Sequence, residues 1–438
     1  MLSRLVTSVR AMPRNSLSAL RELSGPLLLL AGIALIAQVG ISIMLPLLPV
    51  YATRLGATPD VLFWLTSSFA VTSTVGQLGA GFLTERITPR RQIPLGSGFY
   101  AASNVLIATA TAAVPLVIYR AFAGLGGGVM LIAERLYLVQ VTESGRLAFA
   151  NGVLSAAASI GSVMGPVIGA TLAGLDLRFP FLLVATTSTI YAIAALRLPA
   201  PKPDEIQQPA ATPNVPEAAA VDGTALPAPA AVEPAPTVSR SRAEMVRALG
   251  PLLLVNLGLS GTYGAWITTY GVYATTQLGW PAGDVAWVFA YFGVGSIILG
   301  PYFSRLADQR GRRRFAALGL SFVLGWAGLL LLGLPQAVLF PVAIFAGGGL
   351  TVSQASWFAL LGEATGGGRR GRSFGLITAL SNLGIVAGAF ASTSVWNRFG
   401  VHAGLATSMG FLVLAILALA LTRRRAAATT RPKVLAGV

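Results

Sequence analysis

Gly161-Ser-Val-Met-Gly-Pro-Val-Ile-Gly-Ala-Thr-Leu172 is apolar enough to sit in a bilayer, yet it is poor in bulk and broken by Pro166. Gly161, Gly165 and Gly169 recur every four residues and so share one helix face. A face without side chains lets a neighbouring helix approach closely, which is how small residues drive packing in lipid. Proline removes a backbone donor and bends the helix. A membrane tolerates that only where neighbours or a cavity satisfy the freed carbonyl. On spacing alone, the stretch reads as a tight helix contact.

The rest of the chain agrees with a membrane setting. Of its 438 residues 54% are hydrophobic and 11% charged, where a soluble chain carries about 25% charged. This is the composition of a polytopic membrane protein. There is no cysteine, which excludes disulfides and thiolate metal sites, and the single histidine, His402, argues against histidine catalysis. No nucleophile–base–acid set, metal cluster or cofactor motif is found, so enzyme chemistry, a cofactor and a metal are not expected. No G-x-x-x-x-G-K-[ST] loop is present to power an ATP-driven pump.

A bilayer core of about 30 Å needs roughly 20 apolar residues per helix. Such stretches lie near 26–50, 61–83, 93–112, 115–139, 147–173 and 179–198, then near 250–275, 284–303, 314–334, 337–361, 373–396 and 402–421. The expected organisation is a cytoplasmic tail (1–24), a six-helix bundle (25–199), a linker (200–246), a second six-helix bundle (247–422) and a second tail (423–438). The linker is rich in proline and alanine without apolar periodicity, so it is expected to be disordered. The first tail carries Arg4, Arg10, Arg14 and Arg21 but no short apolar core with a cleavage site, so it reads as a tail and not a signal peptide.

Basic residues orient the chain. With both termini and the linker inside, only Arg54, Arg178 and Arg398 of the 31 Lys and Arg lie outside, and Arg120 and Arg135 lie within spans. The net charge of +16 is therefore a topology signal and a contact with anionic lipid, not a nucleic-acid surface. The expected location is the cell's inner membrane, with both termini cytoplasmic.

The two halves repeat. At a constant offset of 223 residues, Arg90 and Arg91 fall on Arg313 and Arg314, and Gly124 and Gly126 on Gly347 and Gly349. Arg146 falls on Arg369, and Gly152, Gly161 and Gly165 fall on Gly375, Gly384 and Gly388. Two parallel-repeat bundles with a substrate site at midplane are a known transporter arrangement.

Four motifs carry a family resemblance. The opening stretch resembles G-x-x-x-G-P-x-x-G-G-x-L, the antiporter motif of drug/proton antiporters in the major facilitator superfamily, with Ala170 the one departure. Gly81 to Arg91 resembles the superfamily loop G-x-x-x-D-R-x-G-R-R-K, keeping Gly81, Arg86 and Arg90, with Glu85 in place of the aspartate, Thr88 of the turn glycine, Pro89 of a basic residue and Arg91 of the final lysine. Its second copy, Ser304 to Arg314, keeps Asp308, Gly311, Arg312 and Arg313. Leu116 to Gly128 resembles l-x-x-x-R-x-x-Q-G-x-G around Arg120, and Gly40 with Pro46 and Pro49 resembles a signature of the twelve-helix drug antiporters. The resemblance implies a major facilitator fold of twelve transmembrane helices in two pseudo-symmetric bundles. It also implies a gating role for the loop motif and a role for Arg120 in proton transfer or in holding a carboxylate. Physically, carboxylates at helix ends such as Glu85 and Asp308 can accept bonds from a facing helix N-terminus and from arginines, latching the halves on the inner side.

An intramembrane arginine is functional by default, though Arg120 is near enough to a helix end to snorkel to the surface. Glu134 is the only acid clearly inside a span, fourteen residues after Arg120 and so about 21 Å along the helix. It is the candidate proton carrier or else a structural ion-pair partner near the inner surface, bonding Arg135 or a second-half residue. Asp60 and Asp284 read as helix caps and Tyr137 as an interface residue.

By the same resemblance the first, fourth, seventh and tenth helices line the cavity. Asn256, Tyr263 and Tyr270 with Trp266 form one stripe on the seventh; Gln38 and Ser42 pair on the first, and Gln354 and Trp357 on the tenth. Aromatic walls with scattered amides suit amphipathic or cationic organic compounds. The expected function is proton-coupled efflux of such compounds by a monomer. The alternatives are movement of a polar metabolite such as a sugar, with or without proton coupling, and a non-transporting receptor or scaffold.

Overall fold

A computed structural model describes residues 25–142, 147–200, 242–365 and 370–421. The tails, most of the stretch read as a linker, and the matched pair Arg146 and Arg369 lie outside the described residues. Among the described residues there are twelve helices: α1 (Gly25–Arg54), α2 (Pro59–Leu83), α3 (Pro89–Ala108), α4 (Ala113–Val141), α5 (Leu147–Leu175), α6 (Arg178–Ala195), α7 (Arg242–Thr276), α8 (Ala282–Arg310), α9 (Arg312–Leu331), α10 (Gln336–Thr365), α11 (Arg370–Phe399) and α12 (Val401–Leu421). The helix α7 begins inside the stretch read as linker, because Arg242 to Leu249 are mostly good helix formers.

Nine of these helices, among the described residues, are long and apolar enough to cross a membrane. The remainder, α3, α7 and α11, are more polar: α3 opens on Pro-Arg-Arg-Gln, and α7 and α11 carry Thr, Tyr, Ser and Asn. Large apolar side chains such as Leu78, Phe82, Ile118, Ile298 and Phe390 face outward, as a chain solvated by lipid requires. The protein is a multi-pass membrane protein.

Within each bundle short connections make successive helices run in alternate directions, and the face that carries the start of α1 and the end of α12 is called here the terminal face. Helix pairings repeat between the bundles. The pairs α1–α5, α1–α6, α2–α4, α3–α4 and α3–α6 are matched by α7–α11, α7–α12, α8–α10, α9–α10 and α9–α12. Between bundles, α2 meets α11 and α5 meets α8, a pair exchanged by the same two-fold relation, and α1 meets α7.

Glycines explain the repeat. A Cβ on Gly96 would lie 2.7 Å from the Gly126 carbonyl, and one on Gly349 would lie 2.6 Å from that of Gly319. These are the same positions in the two halves. Gly124 likewise presses on the Phe69 backbone, and Gly347 on that of Phe292. The two loop motifs turn differently. Gly311 adopts φ 112°, open only to glycine at low cost, so α8 passes into α9 through a single residue. Its counterpart Thr88 cannot do this cheaply; it stays extended, with Pro89 starting α3 after a longer turn.

One apolar core runs across both bundles and takes in the far ends of α1 and α7, among them Leu47, Tyr51, Tyr270 and Tyr273. A smaller one, with Leu30, Ile93, Tyr137 and Leu138, lies in the first bundle toward the terminal face.

Candidate functional site

The helix α5, which carries Gly161, Gly165 and Gly169, divides its surface three ways. Gly161 and Gly165 press on α1, where added Cβ atoms would lie 2.8 Å from that of Gln38 and 2.6 Å from that of Ser42. Gly169 faces Ile43 at 3.3 Å on the same terms. Val163 and Ala170 face the other bundle, meeting Gly293 and Gly283 of α8. Ser155, Ser159, Ser162 and Pro166 face a central cavity. The carbonyl that Pro166 deprives of its donor is that of Ser162, on the cavity wall; Pro301 of α8 does the same to Ile297, also on the wall. Both breaks fall where a cavity can accommodate them.

The cavity occupies about 430 Å³ between the bundles. Rings from Tyr263, Trp266, Phe289, Phe292, Trp326 and Trp357 surround it, with amides from Asn256, Gln354 and Asn382. Trp266, Trp326 and Phe292 form a connected cluster, Phe292 meeting Trp326 edge-on at 4.9 Å. Asn256 and Ser381 exchange hydrogen bonds of 2.9 and 3.1 Å, joining α7 to α11. Asn382 donates to Thr74 of the first bundle at 2.6 Å, and its buried carbonyl oxygen has no protein partner. Among the described residues, no lining residue is acidic or basic.

Of the residues expected on the wall, Ser42, Asn256, Tyr263, Trp266, Gln354 and Trp357 are there. Tyr270 is not: it is buried behind Trp266, stacked on it at 4.2 Å, and donates to the Val285 carbonyl. Gln38 is off the wall and donates to Ser42 at 3.2 Å. The expectation that α4 lines the cavity is corrected, since its residues are absent from that wall. Instead α5, α8, α9, α11 and α12 contribute. The serines of α5, spaced by four and three, were a readable signal for the first of these.

Arg120 does not snorkel. It is 7% exposed, held between α1 and α2, with its guanidinium carbon 3.9 Å from the centre of the Phe69 ring and a nitrogen donating to the Met44 sulfur. It forms part of a smaller cavity of about 40 Å³ whose walls share Leu45, Tyr263 and Ile385 with the central one. Glu134, 8% exposed, lies in the first bundle and accepts a short hydrogen bond from Tyr191 of α6. Its hydrogen-bond partner is thus within its own bundle, while Arg135 donates to Asn151 at 3.1 Å.

The loop motif ties each bundle to itself in this conformation. Arg90 donates to the Leu198 carbonyl beyond α6, and its counterpart Arg313 to the Leu419 and Ala420 carbonyls at the end of α12. Both place a cation at a helix C-terminus, where the dipole favours it. Asp308 pairs with Arg312 at 2.8 Å. Glu85, Arg86 and Arg91 are exposed, and Gly81 has open space around its Cα. Buried Gln92, not singled out by sequence, holds the turn by donating to Thr84 and Ile87.

At the face opposite the termini, Asp60 and Asp284 are not caps. Thr58 caps α2 through Val61, while Asp60 accepts from Asn397 of the other bundle at 3.0 Å and Asp284 from Gln336 at 2.9 Å. Tyr137 is buried, not interfacial, and donates to the Pro199 carbonyl. Thr66 and Thr268 join the bundles at 2.9 Å, and a Cβ on Gly271 would lie 3.0 Å from the Pro46 carbonyl.

The sequence profile of the Major Facilitator Superfamily matches residues 30–281 and again 252–436. Multidrug resistance protein 2 of Bacillus subtilis (strain 168) is 24% identical over 161 residues, covering 37% of this chain and 40% of that one. Quinolone resistance protein NorA of Staphylococcus aureus (strain MRSA252) is 28% identical over 142 residues, covering 32% and 37%. The matched segments thus span about two-fifths of these relatives. Among solved structures, the nucleoside transporter NupG (a point mutant) gives a TM-score of 0.67 at 14% identity, covering 91% of this chain and all of that one. The human organic anion transporter MFSD10 (TETRAN) gives 0.59 at 16% identity over the same shares. These two likenesses concern the fold.

Proposed function

The chain belongs to the major facilitator superfamily, and from that premise we propose that it exports small amphipathic organic compounds in exchange for protons, by alternating access. The observation that carries this reading is the aromatic- and amide-walled cavity of about 430 Å³ between two repeated bundles. A pocket of that size and lining suits a mostly apolar guest oriented by a few polar groups. The partial matches to multidrug and quinolone resistance proteins support the efflux assignment. The same aromatic rings suit a cationic group on such a compound.

In this reading the terminal face is cytoplasmic, by the distribution of Lys and Arg, and the membrane is the inner one. The protein acts as a monomer, since both bundles and the cavity belong to one chain. The contacts at the opposite face keep the cavity closed to the outside in the conformation described. The bundles then rock, with Glu85 and Asp308 at the rim that closes in the outward state. Glu134, buried and bonded to Tyr191, binds and releases the proton.

Inside-out vesicles with a panel of fluorescent dyes and an imposed pH gradient test it. Dye accumulation that collapses on adding a protonophore is expected. Accumulation indifferent to the gradient contradicts proton exchange and favours an uncoupled carrier, and movement confined to polar metabolites contradicts the substrate class.

A further inference from the structure

We propose that Asn382 determines specificity in the central cavity: its amide oxygen accepts a hydrogen bond from an N–H or O–H donor on the ring system of a mostly apolar guest. This narrows the substrate class given above and rests on that cavity being the substrate chamber.

Asn382 stands on the cavity wall and is 3% exposed. Its Nδ2 is committed across the seam between the bundles, donating to the Thr74 hydroxyl of α2 at 2.6 Å. That hydroxyl gives its one hydrogen to the Ala70 carbonyl at 3.0 Å, so toward Asn382 it can only accept. The amide is thereby oriented, and its Oδ1 is left buried with no partner among the described residues. The amide of Asn256, on the same wall, is provided for, since Asn256 and Ser381 exchange two bonds.

A buried acceptor without a partner is destabilising, and a donor that reaches it recovers that loss. The guest supplies the donor. The last torsion of an asparagine side chain is broad, so a turn of the amide brings the oxygen to a guest in the chamber while the Nδ2 leaves Thr74. Recognition of cargo and one tie between the bundles thus meet in a single side chain.

The repeat supplies an internal control. At the offset of 223 the positions matching Asn382 and Thr74 are Ser159 and Ile297, and both stand on the chamber wall. An isoleucine offers no acceptor, so the mate of the Asn382–Thr74 bond cannot form. That seam, between α5 and α8, closes instead by apolar contact, with Val163 against Gly293. Packing between bundles therefore does not demand an amide at this position.

The test uses the full chain in zwitterionic nanodiscs and calorimetric titration, with empty discs as the reference for partition into lipid. Three probes share a quaternary trimethylammonium-ethyl chain, which has no N–H of its own, and differ at one ring atom: indole N–H, N-methylindole and benzofuran. The wild type is expected to bind the N–H probe about fivefold more tightly than either of the others. In Asn382→Leu, similar in size but without an acceptor, the three bind alike. Thr74→Val removes the tie but leaves the amide, so the preference stays at about fivefold or rises. A wild type that binds all three alike overturns the assignment even if neither variant folds. A preference that survives in Asn382→Leu, or that vanishes in Thr74→Val, overturns it too. In those cases the chamber reading survives, whereas failure of all three probes to bind removes the chamber and the role of Asn382 together.

Discussion

Gly165 lies so close to Ser42 that a methyl group on it would come within 2.6 Å of the serine Cβ, with the Val39 carbonyl at 2.7 Å. Backbone lies on one side of that contact, so the clash cannot be relieved by turning a side chain. Gly165→Ala is expected to destabilise the protein by about 1–3 kcal/mol. Gly174→Ala, nine residues on along the same helix and with nothing within 4 Å, is expected to be neutral or to stabilise by up to about 1 kcal/mol. Thermal melts of the two variants in detergent decide; equal shifts contradict the packing account.

Gly311 makes a different demand, conformational and not steric. Its φ of 112° costs a side-chain-bearing residue about 1–3 kcal/mol. Gly311→Ala should lower the melting temperature although nothing lies within 4 Å of its missing Cβ. Thr88→Ala, at the extended counterpart whose side chain makes no cap bond, should leave it nearly unchanged. If both variants melt alike, the two turns do not differ as described.

The bond between Tyr191 and Glu134 bears on coupling. Glu134→Gln is expected to abolish dye accumulation driven by a pH gradient, and Glu134→Asp to retain it. Tyr191→Phe removes one donor to a buried carboxyl and should cost roughly 1.5–3 kcal/mol of stability. Full gradient-driven accumulation in Glu134→Gln places the proton elsewhere.

Trp266 stands on the wall and Tyr270 stacks behind it, their planes 13° apart. Trp266→Ala should raise dye Kd about tenfold, since it removes ring area and its partner's support together. Tyr270→Ala should act in the same direction but less. His402→Ala, which loses a contact to the Leu331 carbonyl away from the cavity, should leave dye Kd unchanged. Titration of dye fluorescence against purified variants measures all three.

Much of the architecture was legible because it is written in period and offset. Apolar lengths gave twelve spans, and one constant offset gave two bundles whose glycines meet the same partners in each half. The small-residue face of Gly161, Gly165 and Gly169 was readable as a contact, though not which helix it meets. Side-chain partners were harder. Glu134 finds Tyr191, and Asp60 finds Asn397, residues far away in sequence whose approach depends on how bundles pack. Tyr270 shares a seven-residue spacing with Asn256 and Tyr263, yet α7 leaves the cavity before reaching it and the ring is buried against α8. Helical periodicity fixes a face but not the depth at which that face stops being a wall.

The contact between Asp60 and Asn397 tests alternating access most directly, because it joins the bundles on the face opposite the termini and the native chain has no cysteine to confuse the result. An Asp60→Cys, Asn397→Cys double variant in inside-out vesicles would be bridged with a short bifunctional methanethiosulfonate and then reduced. Rocking bundles predict that dye accumulation stops on bridging and returns on reduction. Accumulation at an undiminished rate in the bridged protein would contradict the account.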